Sequence, residues 1–408
     1  MSVTGIVVEY NPFHKGHLHH INKTKELTGC SYIIAVMSGN FVQRGIPAMV
    51  DKWSRAKTAL MNGVDLVIEL PLIYSLSSAE FFSFGAVSLL NSLGIVDNIC
   101  FGSECGDSKV LYDIANILSH EPDEYKDILK QKLQLGLAYP SARSKALSDF
   151  IGSYDTDLLS NFNIEEVLSS SNNILGIEYC KSIMRLQSSI KPFSIQRQGS
   201  DYNSTHFEGE LSSASSIRKH IKDTKSISGI KNYVPENTYN LLFSLFENNY
   251  TFSSEDLMLP YLKYKYILYK DTIEQLPDVS EGIHNRIYKF LEDAESYEKL
   301  INSIKTKRYT YSRISRILCQ FFIGFENFNT YELRKKECPY VRVLGFNSNG
   351  LKLLKDMKKE SSIPIYTKIP KDLDDVLSLD IQGTRLYSLL NKNINPNSDY
   401  LISPIMLK

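Results

Sequence analysis

Five short apolar runs mark the first half of the chain: Thr4–Val8, Tyr32–Met37, Asp65–Leu70, Asn98–Phe101 and Phe193–Arg197. They are rich in Val and Ile with little polar alternation, which is how strands buried on both faces of a parallel sheet read. Segments with helical spacing lie between them, among them Trp53–Asn62, Ala79–Leu93 and Ile174–Leu186. Strand and helix in alternation predict a doubly wound α/β domain. After about residue 225 glycine thins out and Tyr, Leu, Lys and Asn dominate. Asp256–Tyr269, Glu281–Ile304 and Thr310–Phe322 read as helices, and the tail from Lys352 reads as helical and polar. The expected organisation is an α/β domain over 1–225 and a mainly α-helical region over 226–408, with a boundary near Ser226–Gly229. There is no internal repeat and no low-complexity segment.

The 408 residues suit two or three domains, and 43% apolar with 23% charged residues is the composition of a globular chain. Lys+Arg and Asp+Glu both total 46, which excludes a globally basic nucleic-acid binder but not a local basic patch. Residues 1–225 carry 21 basic and 24 acidic side chains, and residues 226–408 carry 25 and 22, so the second half leans slightly towards a polyanion. Six cysteines at 30, 100, 105, 180, 319 and 338 show no Cys-x-x-Cys spacing and read as reduced thiols of a cytoplasmic protein. The first residues lack the charge and apolar length of a signal peptide, and no apolar stretch approaches the ~18 residues of a membrane span.

The chemistry concentrates after the first strand, in Glu9-Tyr10-Asn11-Pro12-Phe13-His14-Lys15-Gly16-His17. Asn-Pro ends the strand, Gly16 leaves room for close approach of backbone, and a helical pattern follows. His14 and His17 then sit at a helix start, where free N–H groups and the dipole favour an anion. Two imidazoles and helix N–H groups suit the charge that grows on an α-phosphate under attack. A metal pair fits less well, because this is not the mid-helix His-Glu-x-x-His pattern, so no metal site is expected. Of His19 and His20, one is expected to face solvent or core without a role.

His-x-Gly-His after a first strand resembles the HIGH-motif nucleotidyltransferase superfamily. The whole string resembles one branch, the bacterial tRNA(Met) cytidine acetate ligase family. Met37–Ala48, Asp51-Lys52-Trp53, Asp65–Pro71, Phe101–Glu104, Ser171–Tyr179 and Lys307–Ile314 agree with that branch. The resemblance implies a Rossmann-like nucleotidyltransferase domain that uses ATP, carried with Mg²⁺, to activate acetate as acetyl-adenylate. The acetyl group then passes to N4 of the wobble cytidine, C34, of elongator tRNA(Met). It places nucleotide contacts on Val7, Val8, Glu9, Tyr10, Asn11, Pro12, Phe13, His14, Lys15, Gly16, His17, Leu18, His19 and His20, with Gly102, Asn172, Arg197 and Ser213.

Ser213–Arg218, serines before a helix with an early arginine, resembles the superfamily's phosphate element. With His14, His17 and Arg44 it makes Arg218 a candidate catalytic group. Asn172 also reads as a helix cap and Arg197 as a solvated strand end. Asp51 is expected to cap a helix rather than to catalyse, and Trp53, the sole tryptophan, to pack in the core. Glu69 and Glu104 sit near strand ends, without spacing that commits either to Mg²⁺. After Arg197 the chain departs from the family pattern, with Asn203 following Tyr202 where the family has His. Either His14 or His17 could polarise the acetyl carbonyl or accept a proton.

Ile301–Gln320 holds Lys305, Lys307, Arg308, Arg313 and Arg316 with no acid, interleaved with Tyr309 and Tyr311. Basic groups for phosphates and aromatics for unpaired bases make it the expected RNA platform. The competing readings are a small-molecule adenylyltransferase without an RNA substrate and a non-catalytic RNA-binding protein. The oligomeric state is not legible.

Overall fold

The computed structural model describes residues 2–137, 139–153, 162–197 and 213–408. The five predicted strands form, within one to two residues of their expected ends: β1 (Val3–Val8), β2 (Tyr32–Ser38), β3 (Leu66–Leu70), β4 (Asn98–Ser103) and β5 (Lys191–Gln196). They pair in the order β3–β2–β1–β4–β5, all parallel. Chain order reverses at β1, so β1 and β4 flank the crevice where open α/β sheets bind ligands.

Both faces are buried, which is why the runs lack alternation. Ile34, Val36, Leu66 and Ile68 face one core with Val87 and Leu90 of α3 (Ala79–Ser92). Ile6, Val8, Ile33, Ala35 and Val67 face the other, with Ile21 of α1 (Lys15–Thr28) and Trp53, Ala56 and Ala59 of α2 (Lys52–Met61). Trp53 is thus a core residue. Asp51 caps α2, its carboxylate accepting from Ser54 N at 2.9 Å. Two more helices border the crevice: α4 (Ser171–Arg185), which begins earlier than expected, and α5 (Ala214–Thr224).

The sheet does not end with the first half of the chain. β6 (Val341–Phe346) lies antiparallel on β3, and β7 (Ile365–Tyr366) and β8 (Ile405–Met406) both pair with β6 in parallel. The expected helical tail therefore contributes strands to the N-terminal sheet. Elsewhere the second half is helical as read. Glu281–Ile304 forms two helices, Ile283–Leu291 and Tyr297–Ile304, and the basic segment forms α6 (Tyr311–Ile323). α7 (Asp375–Leu390) packs against the turn after β3 through Asp380, which accepts from Leu72 N at 2.6 Å.

Candidate active site

A cavity of about 230 Å³ opens at the carboxyl ends of β1, β4 and β5. Of the expected nucleotide contacts, Val7, Val8, Glu9, Tyr10, Asn11, His14, Gly16, His17, His19, His20, Gly102, Asn172, Arg197 and Ser213 line it, and so do Arg44 and Arg218. Pro12, Phe13, Lys15 and Leu18 do not. Phe13 is core, its ring 4.6 Å from that of Tyr10, and Lys15 N donates to Tyr233 O at 3.0 Å. The expected departure at Tyr202 and Asn203 lies outside the described residues.

His14 is the N-cap of α1. Its Nδ1 accepts from Gly16 N at 3.1 Å, and His17 Nδ1 accepts from His14 N at 3.2 Å. The space kept open at Gly16 is taken by His14 itself, since a Cβ there would lie 2.9 Å from His14 Cε1. With both Nδ1 atoms accepting, the ring protons belong on Nε2. Burial, then the charges of Arg197 and Arg218, push the His14 imidazolium pKa down to about 3. Burial, then His14, His20 and Arg197, hold His17 well below the usual range. Both rings are therefore neutral Nε2–H donors. Burial likewise pushes His20 down to about 4, and His19 and His20 both line the cavity.

Arg44 and Arg218 meet across the cavity at one hydroxyl: Ser215 Oγ accepts from each at 3.2 Å. Arg218 also donates to Asn11 O at 2.7 Å. Ser213 caps α5 by accepting from Ser216 N at 3.1 Å, so the cavity faces a second helix N-terminus. Arg197 lies over Gly102, where a Cβ would stand 3.2 Å from its Cγ.

Asn172 is the second residue of α4, not its cap. The N-cap position is Ser170, which makes no side-chain cap bond; the first-turn N–H groups are capped from outside the helix by Glu104, whose Oε1 accepts from Asn172 Nδ2 at 2.7 Å and whose Oε2 accepts from Asn173 N at 2.8 Å. Glu69 is paired with buried Lys52 at 2.8 Å. Neither strand-end glutamate lines the cavity. Among the described residues no three His, Cys, Asp or Glu side chains gather to hold a metal ion.

Sequence reasoning missed the apolar wall of Val42, Ile46, Phe82, Leu175, Tyr179 and Ile195, and, behind the cavity, Arg55. Arg55 is buried, donating to the carbonyls of Glu9, Ser38, Gly39 and Val50, which fastens the ends of β1 and β2 to the Arg44 loop. Its charge in Asp51-Lys52-Trp53-Ser54-Arg55 reads as an ordinary first-turn helix residue, so no local signal marks it.

The expected RNA platform is rearranged. Arg316 and Arg334 pair with buried Asp278 at 3.0 and 2.9 Å, and Arg308 and Arg313 pair with Glu281 at 2.9 and 3.4 Å. Tyr309 is buried, donating to Glu281 O at 2.6 Å, whereas Tyr311, Lys305 and Lys307 are exposed. All six cysteines are free thiols. No helix among the described residues is long and apolar enough to cross a membrane.

The HIGH Nucleotidyl Transferase family model matches residues 1–400. A tRNA(Met) cytidine acetate ligase of Clostridium novyi is 56% identical over 408 residues, covering 100% of both chains. One from Clostridium tetani is 51% identical over 406 residues, also covering 100% of both. Among solved structures, Thermotoga maritima TmcAL without ligand superposes with a TM-score of 0.89, and the form bound with alpha-thio ATP with 0.87. Each is 34% identical with 100% of both chains covered. With the motif at the switch point of the sheet and full-length likeness on both counts, the chain belongs to the tRNA(Met) cytidine acetate ligase family of HIGH nucleotidyl transferases.

Proposed function

We propose that the protein activates acetate with ATP as acetyl-adenylate and transfers the acetyl group to N4 of the wobble cytidine, C34, of elongator tRNA(Met). The observation that carries the reading is the pair of neutral imidazoles, His14 and His17, beside Arg197 and Arg218 in one cavity. Orphaned polar atoms support an absent ligand: Tyr10 Oη, Asn11 Nδ2 and His20 Nε2 are buried without a hydrogen-bond partner among the described residues, and all three residues line that cavity.

In the first step an acetate oxygen attacks the α-phosphorus and pyrophosphate leaves. The Nε2–H groups of His14 and His17 donate to the α-phosphoryl oxygens, where negative charge grows, without having to lose a proton. Arg44, Arg218 and the α5 N-terminus with Ser213 hold the departing phosphates. Arg197, Gly102 and Asn172 flank the nucleoside. Mg²⁺ would neutralise the triphosphate. Among the described residues no carboxylate cage stands ready for it, and phosphate and water ligands would hold the ion.

In the second step the cytidine amine meets the adenylate, an activated anhydride, in a site that must exclude water. The wobble base has to leave its stack to reach it. Exposed Lys305 and Lys307 remain as phosphate contacts. Six free thiols suit a cytoplasmic enzyme.

The test is incubation with ATP, Mg²⁺, ¹⁴C-acetate and unmodified tRNA. Label in N4-acetylcytidine, lost in His17→Ala, is the expected result. Acetate-dependent AMP formation without labelled RNA would reassign the acceptor. Neither product would overturn the reading in favour of a small-molecule adenylyltransferase.

A further inference from the structure

N4 of cytidine is a poor nucleophile, because its lone pair is delocalised into the ring. As it attacks a carbonyl its N–H becomes strongly acidic, and the proton needs an acceptor within hydrogen-bond reach. The two histidines are unsuited to this. Each Nδ1 already accepts a backbone N–H, and each Nε2 carries its proton. The strongly depressed basicity of both rings agrees with the geometry. The arginines that line the cavity are cations, and its amides and hydroxyls are not bases at neutral pH.

His20 also lines the cavity, and burial lowers its basicity as well. Beyond the four histidines, one lining residue can act as a base. Glu9 is the only carboxylate among the described residues of the cavity wall. It stands at the carboxyl end of β1, partly exposed, next to the motif that bears the histidines. It is held from two sides: its carbonyl accepts from Arg55 Nη1 at 2.5 Å, and its Oε1 accepts from Gln43 N at 3.0 Å. Among the described residues Oε2 has no hydrogen-bond partner. A carboxylate among phosphate-binding arginines does not favour the triphosphate or acetate, since it repels both.

We propose that the Glu9 carboxylate is the base that takes the proton from the cytidine amine during acetyl transfer; this deepens, and rests on, the function proposed above. The N4 lone pair forms the C–N bond to the acetyl carbon. The C–O bond to the phosphate breaks, and AMP leaves with its electron pair. One N4 proton passes to Glu9 Oε2, which returns it to solvent before the next turnover. The sum is acetyl-adenylate plus cytidine giving N4-acetylcytidine, AMP and one proton.

The test supplies synthetic acetyl-adenylate to the full-length protein and follows single-turnover transfer to unmodified tRNA or to hydroxylamine, a nucleophile that needs no base. Glu9→Gln retains an acceptor for Gln43 N. The expected result is a loss of ~10²-fold or more towards tRNA and a far smaller loss towards hydroxylamine. Equal losses towards both would make Glu9 a binding or structural group and overturn the proposal. Wild-type rates of RNA transfer would overturn it too, leaving the AMP phosphate or water as acceptor. ATP–pyrophosphate exchange is read on the same variant, and a collapse there as deep as in transfer would assign Glu9 to the triphosphate instead. If the wild-type protein itself passes nothing to RNA, the functional reading fails and the role of Glu9 with it.

Discussion

Ser315 on α6 donates its hydroxyl to the carbonyl of Gly45, 2.9 Å away, so the loop that carries Arg44 rests on a helix of the chain's second half. The two backbones also approach closely: at Gly45, with φ of +80°, a Cβ would stand 2.2 Å from Arg316 N.

Gly45→Ala should therefore fail on two counts, a left-handed backbone and a clash with a helix that cannot yield. We expect a stability loss of ~1–3 kcal/mol by urea denaturation. ATP–pyrophosphate exchange should fall further than that loss explains, because Arg44 is displaced from Ser215. A variant with wild-type exchange and wild-type stability would show that the loop is not held by this contact.

The histidines make the fold acid-sensitive. In the unfolded chain each titrates near 6.5, whereas in the folded protein His14 is pushed down to about 3 and His20 to about 4. Between those values the unfolded chain binds more protons, so stability falls as pH drops below about 6.5 and is untouched by these groups above it. Tm should decline on acidification from pH 7, and less steeply in His20→Gln. Parallel curves for the two proteins would assign the acid sensitivity elsewhere.

Beneath the Arg44 loop, Lys52 Nζ is 2.8 Å from both Glu69 and Asp399, and Asp399 is 3.2 Å from Arg342. All four side chains are buried. Burial and the Glu69 charge already push Asp380, on α7, up to about 8. Lys52→Met would leave two carboxylates beside it with one cation. Breaking such a pair from one side should cost ~3–5 kcal/mol in chemical denaturation, far more than losing an exposed lysine. A loss within the range of surface substitutions would mean that solvent reaches the cluster.

Basic residues of the RNA platform should divide by what they already hold. Burial alone would raise the Asp278 pKa, but Arg316 and Arg334 outweigh it and hold the carboxyl below its usual range. Arg316→Ala should thus act on stability, by ~3 kcal/mol or more, leaving a buried carboxylate half paired. Lys305→Ala with Lys307→Ala should leave stability within ~0.5 kcal/mol and lower the salt dependence of RNA binding by about two phosphate contacts. Filter binding across a salt series separates the two. An unchanged slope in the lysine variant would move the RNA to another face.

The parallel strands and the His14–His17 loop were legible because their causes are local: apolar runs buried on both faces, a proline break, and a helix start bearing two imidazoles. Asp51 as a cap was legible for the same reason. What was not legible depends on partners distant in the chain. Nothing near Arg313 or Arg316 announces that Asp278 and Glu281, some 30 residues earlier, neutralise them. Nothing near Glu104 announces that it caps a helix beginning at Ser171.

The amino-acid order by itself determined the five parallel strands and the chemistry of the loop after the first of them, because periodicity and turn residues act within a few positions. Only the tertiary structure decided that β6 to β8 complete the sheet, that Arg44 and Arg218 converge on Ser215, and that Glu9 is the one carboxylate among the described residues of the cavity wall. Edge-strand pairing and charge neutralisation are set by which surfaces meet once the core has closed, and that information is spread over the whole chain.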